Sequence, residues 1–173
     1  MVFLIIWGGI TVRAWEEERF DLAARALSDL RHRQRTDPIP LLVEGRRDRR
    51  TLASLGIVDR VIVLNRGWPI ERVLASIAQE RTRFQGLAPG PVELLMDWDR
   101  TGGRLQQRLR SGLESLDVAV LETTREILIR SLTPETRTIE GLIGWIEVLS
   151  PKMTIEDRRL GREPFMESER DLP

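Results

Sequence analysis

The chain has 173 residues, 41% hydrophobic and 31% charged, which is the composition of one folded domain rather than of a disordered or fibrous polymer. Its 27 basic and 27 acidic residues leave a formal net charge of +0, so any grip on nucleic acid has to come from a local patch. There is no cysteine, which excludes disulfides and thiolate-bound zinc and fits a cytoplasmic setting.

The opening stretch Met1–Ile10 is apolar but only about half as long as a membrane span. It carries neither a basic leading region nor a small-residue cleavage site, so no membrane association and no signal peptide are expected. An extra strand, a packing arm and a start codon assigned too early are the readings left open. From Glu16 to Arg35, the residues Phe20, Ala23, Ala24, Leu27 and Leu30 recur at helical spacing and predict an amphipathic helix. The basic run Arg31-His32-Arg33-Gln34-Arg35 complements the negative end of its dipole, with His32 in solvent, and Thr36-Asp37-Pro38 stops it.

Leu41 to Glu44 reads as a short buried strand, and Asp48 to Leu55 as a helix closed by Gly56. Val61-Ile62-Val63-Leu64 is a second strand, followed by the turn Asn65-Arg66-Gly67 and a helix opened by Pro69. Gly86 to Pro91 is a breaker-rich loop. Val92 to Met96 is a third strand, Leu105, Leu109 and Leu113 mark a helix, and Val118 to Leu121 is a fourth strand. Helices follow near Thr124–Leu132 and Ile139–Leu149. Strands alternating with helices imply an α/β fold with an open, Rossmann-like parallel sheet of about four strands. The organisation expected is an apolar leader and helix over 1–39, an α/β core over 40–122, helices over 123–150, and a loosely held polar tail over 151–173.

Two acidic motifs stand where strands end: Glu44-Gly45-Arg46-Arg47-Asp48 and Asp97-Trp98-Asp99-Arg100-Thr101-Gly102. In an open parallel sheet, ligands gather at the carboxyl ends of the strands. If the two strands are neighbours, Glu44, Asp97 and Asp99 converge. Two unit charges about 4 Å apart repel by roughly 4 kcal/mol at an effective dielectric of 20. A hard divalent cation removes that cost, and magnesium is the usual occupant, with manganese as the alternate.

The pair of motifs, each behind an apolar strand, resembles the Toprim domain shared by topoisomerases, bacterial-type primases, nucleases and a ribosomal-RNA maturation enzyme. The resemblance covers roughly Pro40 to Val120, and the compact size suggests the small single-domain Toprim proteins of archaea and bacteria. The stretch from Thr124-Arg125-Glu126 to Ile139-Glu140-Gly141-Leu142 also looks like the tail of the archaeal group. The resemblance implies that Glu44 is a metal ligand or general acid/base and that Asp97 and Asp99 hold magnesium. It implies a tight turn at Gly45, and it matches Gly67 and Gly102 to the family's turn glycines. Topoisomerase-like members continue with a further carboxylate, where this chain has Gly103.

Each residue also has a plainer role. Glu44 would accept backbone N–H groups, and Asp97 or Asp99 would cap a helix. Asp48 reads as a cap or as support behind the ligands. Arg46, Arg47, Arg49 and Arg50 either grip phosphates or form a solvated helix face, and Arg100 either neutralises the aspartates or contacts a phosphate. Trp98 is assigned to burial behind the site. Trp68 is assigned to packing, with a stacking surface as its alternative. The function expected is magnesium-dependent phosphoryl transfer on RNA or DNA, as a nuclease or RNA-processing phosphodiesterase. The alternative is a non-catalytic module that docks nucleic acid or protein, and self-association is open.

Overall fold

The structure, a computed structural model, describes residues 6–7, 10–65, 67–82 and 91–162, with side chains from Trp15 onward except those of 80–82. Most of the apolar leader, the loop over 83–90 and residues 163–173 lie outside the described residues. Within the leader, β1 (Ile6–Trp7) pairs antiparallel with β2 (Ile10–Thr11), which agrees with the strand reading there.

Helix α1 (Val12–Thr36) buries Ala23, Ala24, Leu27 and Leu30, the stripe expected from its spacing. Then come β3 (Leu41–Val43), α2 (Arg46–Ser54), β4 (Val61–Val63), α3 (Ile70–Thr82), β5 (Val92–Leu94), α4 (Arg100–Glu114) and β6 (Val120–Leu121). They are followed by α5 (Thr123–Leu132), a 3-10 turn (Glu140–Trp145) and α6 (Ile146–Arg159).

The four core strands are parallel and ordered β4-β3-β5-β6, with Leu42 opposite Ile62 on one side and Leu94 on the other. Leu41, Leu42 and Val43 are fully buried because both faces of the sheet are covered. Alternation sends Leu41 and Val43 into the cluster with α1, α2, α5 and α6, and Leu42 into the cluster with α3 and α4. The chain moves one way from β3 to β4 through α2, then the other way through α3 and α4 on the opposite face. Right-handed crossovers require that exchange of faces. The strand order therefore reverses between β3 and β5, the position where an open sheet leaves a crevice.

The first part of the expected loose tail is helical, because α6 runs through Pro151 to Arg159, while 163–173 lie outside the described residues. Met153, Glu156 and Asp157 are buried there. The basic end of α1 also does more than oppose a dipole. Arg31 is buried and bonds the Asp157 carboxylate and the Leu55 carbonyl, and Arg33 reaches the fully buried Glu93 and Thr124. Among the described residues, no helix is long and apolar enough to cross a membrane.

Candidate functional site

Glu44 and Asp97 follow β3 and β5 and so flank the crevice at the reversal of strand order. They touch across it: the Asp97 N–H donates to Glu44 Oε1 at 3.1 Å. The carbonyl of Glu44 accepts from the Asn65 N–H at 3.0 Å, which brings the loop after β4 to the same rim. Glu44 and Asp97 therefore meet at one rim.

Each carboxylate nevertheless spends an oxygen on the backbone. Asp97 Oδ1 accepts from the Ile139 N–H at 2.7 Å, Asp99 Oδ1 from the Gly102 N–H at 2.7 Å, and Asp48 Oδ2 from the Gly45 N–H at 2.8 Å. Asp99 is thus the N-cap of α4 and Asp48 closes the first turn of α2. Among the described residues, no group of three or more acidic, histidine or cysteine side chains is placed to hold a metal ion. The donors fit a hard cation in chemical type, but they do not build a closed three-carboxylate cage. One or two carboxylates, completed by water and phosphate oxygens, is the coordination magnesium accepts in such a setting.

The electrostatics of the rim are those of carboxylates sharing a partly dry space. Burial, above all, pushes the Asp97 carboxyl up to about 6; the Ile139 N–H opposes this, and the charges of Asp48, Glu44 and Asp99 add to it. Burial also raises Glu44, against the Asp97 N–H and with the charges of Asp48 and Asp99. Asp48 is raised chiefly by burial as well, opposed by surrounding backbone N–H groups.

Two glycines behave differently from expectation. Gly45 has φ −134° and ψ 173°, extended backbone open to any residue, and a Cβ there would meet Asp48 Oδ2 at an ordinary 3.6 Å. No special turn is required of it. Gly102 sits inside the first turn of α4 rather than at a turn, and a Cβ there would run into the carbonyl and Cβ of Asp97. It is small so that the helix can approach the aspartate. Gly67 does adopt the left-handed region, at φ +81°.

Arg46, Arg49, Arg50 and Arg100 are exposed. Arg47 is exposed too and pairs loosely with Glu140 at 3.2 Å. Trp98 packs against the α1-side core and donates its indole N–H to the Thr136 carbonyl, as expected of a residue behind the site.

The sequence motifs did not include two contributors. Arg125, from α5, donates to the carbonyls of Met96 and Asp97, each at 2.8 Å, and its charge lowers the proton affinity of Glu44. Burial lowers the proton affinity of Arg125 itself, opposed by the charges of Glu122, Asp97 and Glu44. The segment Thr136–Ile139 straps the rim: the Trp98 N–H bonds the Arg137 carbonyl, and Ile139 bonds Asp97. Arg125 was visible only within the stretch resembling the archaeal tail, and the strap acts through backbone atoms that any residue supplies.

Two cavities of about 350 Å³ lie elsewhere, between α1 and α5 and between α3 and α4, and the rim carboxylates line neither.

No family model matches the chain. A UPF0292 protein of Thermococcus gammatolerans is 34% identical over 111 residues, 64% of this chain and 76% of that protein. A UPF0292 protein of Thermococcus onnurineus is 33% identical over 111 residues, with the same shares of 64% and 76%. One of Thermoplasma volcanium is 31% identical over 90 residues, 52% of this chain and 69% of that one. Among solved structures, a protein from Aquifex aeolicus superposes with a TM-score of 0.52 at 26% identity, over 68% of this chain and 94% of its own.

Proposed function

The chain belongs to the UPF0292 protein family, and from its acidic rim we propose a magnesium-dependent, Toprim-type protein that performs phosphoryl transfer on nucleic acid, as a nuclease or RNA-processing phosphodiesterase. The observation that carries this reading is the contact of Glu44 with Asp97 across the reversal of strand order, beside Asp48 and Asp99. Crowded carboxylates with raised proton affinity are costly for structure alone, and such arrangements cluster at functional sites.

One or two of Glu44, Asp97 and Asp99 would hold the cation, with water and phosphate oxygens completing its shell and manganese as the alternate. When bound, magnesium would polarise a phosphoryl oxygen and offset the charge that develops on it. Glu44, raised by burial, is suited to exchange a proton with the reacting hydroxyl or water. Arg125 fixes the backbone that carries Asp97. Arg46, Arg47 and Arg100 occupy the first turns of α2 and α4. The helix dipole disfavours cations there but favours phosphate, so an anionic ligand turns a local cost into a joint attraction. Arg50, one turn further along α2, extends the grip. A cytoplasmic location completes the proposal.

One observation favours a second reading, in which the rim docks nucleic acid or a protein without turnover. Every rim carboxylate already caps or braces the backbone, and three do not converge. End-labelled single strands of RNA and DNA incubated with the protein and magnesium separate the two. The enzyme reading expects cleavage that Glu44→Gln abolishes, since the amide still accepts the Asp97 N–H while losing its proton chemistry. Binding without cleavage, unchanged by Glu44→Gln, establishes docking instead. If calorimetry detects no magnesium binding to the parent protein, the metal-dependent reading fails.

A further inference from the structure

Trp68 is the residue that the sequence left between packing and a stacking surface. It is 39% exposed. The Arg72 guanidinium lies over its ring, 4.2 Å from the centroid. It is one of several exposed large apolar side chains among the described residues, and the arginine over it, on the first turn of α3, is exposed as well. The pair also has a definite place. Trp68 lies in the loop after β4, at the carboxyl end of the sheet, just beyond the left-handed Gly67.

The Asn65 N–H is bonded to the Glu44 carbonyl, and three residues of chain span at most about 11 Å. Trp68 is therefore tethered within a short length of nucleic-acid strand from the acidic rim. Arg46 and Arg47, on the first turn of α2 directly after Glu44 and Gly45, are exposed.

We propose that Trp68, braced by Arg72, is a base-stacking platform, and that the ligand of this rim is single-stranded nucleic acid with unpaired bases. The chemistry is specific in class. Every base offers a π-face to an indole, and a guanidinium stacks on both base and ring, so the contact tolerates any sequence. Bases inside a duplex are already stacked and cannot be taken up this way. The arginines of α2 supply the backbone contacts and Trp68 supplies the base contact, which separates two parts of the affinity that can be measured apart. The inference rests on the nucleic-acid reading above and specifies its substrate.

The test compares fluorescence anisotropy of labelled strands: ribo- and deoxyribo-oligonucleotides, an abasic deoxyribo strand of equal length, and a duplex. The full chain is used with magnesium present and Glu44→Gln as background, so that cleavage does not intrude. Base-bearing single strands are expected to bind about tenfold or more tightly than the abasic strand. Trp68→Ala removes that difference and leaves abasic binding unchanged, while Trp68→Phe restores most of it. The ribo and deoxyribo arms show which sugar the platform prefers. Equal binding of base-bearing and abasic strands, preference for duplex, or a Trp68→Ala protein that still discriminates overturns the platform while leaving a nucleic-acid site standing. Failure to bind any strand overturns both.

Discussion

Charge is buried on two sides of this sheet, and the two regions treat it in opposite ways. Behind the sheet, on the α1 side, covered carboxylates meet arginines: buried Asp157 meets Arg31, half-buried Glu135 meets Arg19, and buried Glu93 meets Arg33. At the rim, Glu44, Asp48 and Asp97 meet one another's fields and backbone N–H groups, and the nearby Arg125 spends its bonds on carbonyls. The first region is neutralised and serves to lock helices. The second holds carboxylates whose proton affinity is raised by burial and by one another.

The largest effect is expected behind the sheet. Asp157→Ala removes the counter-charge of Arg31, whose pair is only 4% and 3% exposed, and the acceptor of the Ser28 hydroxyl. Breaking one side of such a pair costs about 3–5 kcal/mol. Thermal unfolding should fall by roughly 10 °C. A loss below about 1 kcal/mol would mean that water reaches the pair and that the two regions differ less than stated.

The rim should respond with the opposite sign. Asp97 ionises near 6 in the folded protein against an ordinary 3.8, so the folded chain binds that proton more tightly than the unfolded chain does. Its favourable contribution is complete below pH 3.8 and is lost as pH rises through 6. Asp97→Asn keeps an oxygen for the Ile139 N–H and removes the charge. It should be more stable than the parent at pH 7.5, by on the order of 1 kcal/mol after allowance for partial exposure. That advantage should vanish near pH 4. Paired melting curves across this range decide it, and a parent more stable than the variant at pH 7.5 would refute the strained-rim description.

The smallest effect belongs to the exposed ion pair that joins the regions' margins. Arg47 and Glu140 are 76% and 49% exposed. Arg47→Ala should change unfolding in denaturant by no more than about 0.5 kcal/mol. A larger loss would show that the 3-10 turn opened by Glu140 depends on side-chain charge.

Much of this was legible in the residues. Short apolar runs at Leu41, Val61 and Val92 marked the strands, and carboxylates at their ends marked the rim. The helical spacing of Ala23, Leu27 and Leu30 marked the buried stripe of α1. The illegible parts have physical reasons. Pro151 looked like a stop because proline inside a helix forfeits a backbone bond. Here Pro151 and Glu147, the residue whose carbonyl would have received it, are both exposed to water, while Met153 and Asp157 anchor the next turns in the core. The need for Gly102 was readable as a motif position but not as a clash with Asp97, which only the packing of α4 reveals. The Thr136–Ile139 strap acts through an amide hydrogen and a carbonyl oxygen common to all residues, and so leaves no signature in composition or spacing.

That strap has a consequence for how the molecule can be divided. The segment completing the hydrogen bonding of Asp97 lies forty-two positions downstream, beyond α5, although the acidic motifs and all four core strands end by Leu121. A minimal fragment cut after the last core strand would keep every acidic motif, yet it would shed both Arg125 and the amide that steadies the aspartate. The later helices are structural members of the rim, and any transplant of this α/β unit onto another scaffold has to carry them along.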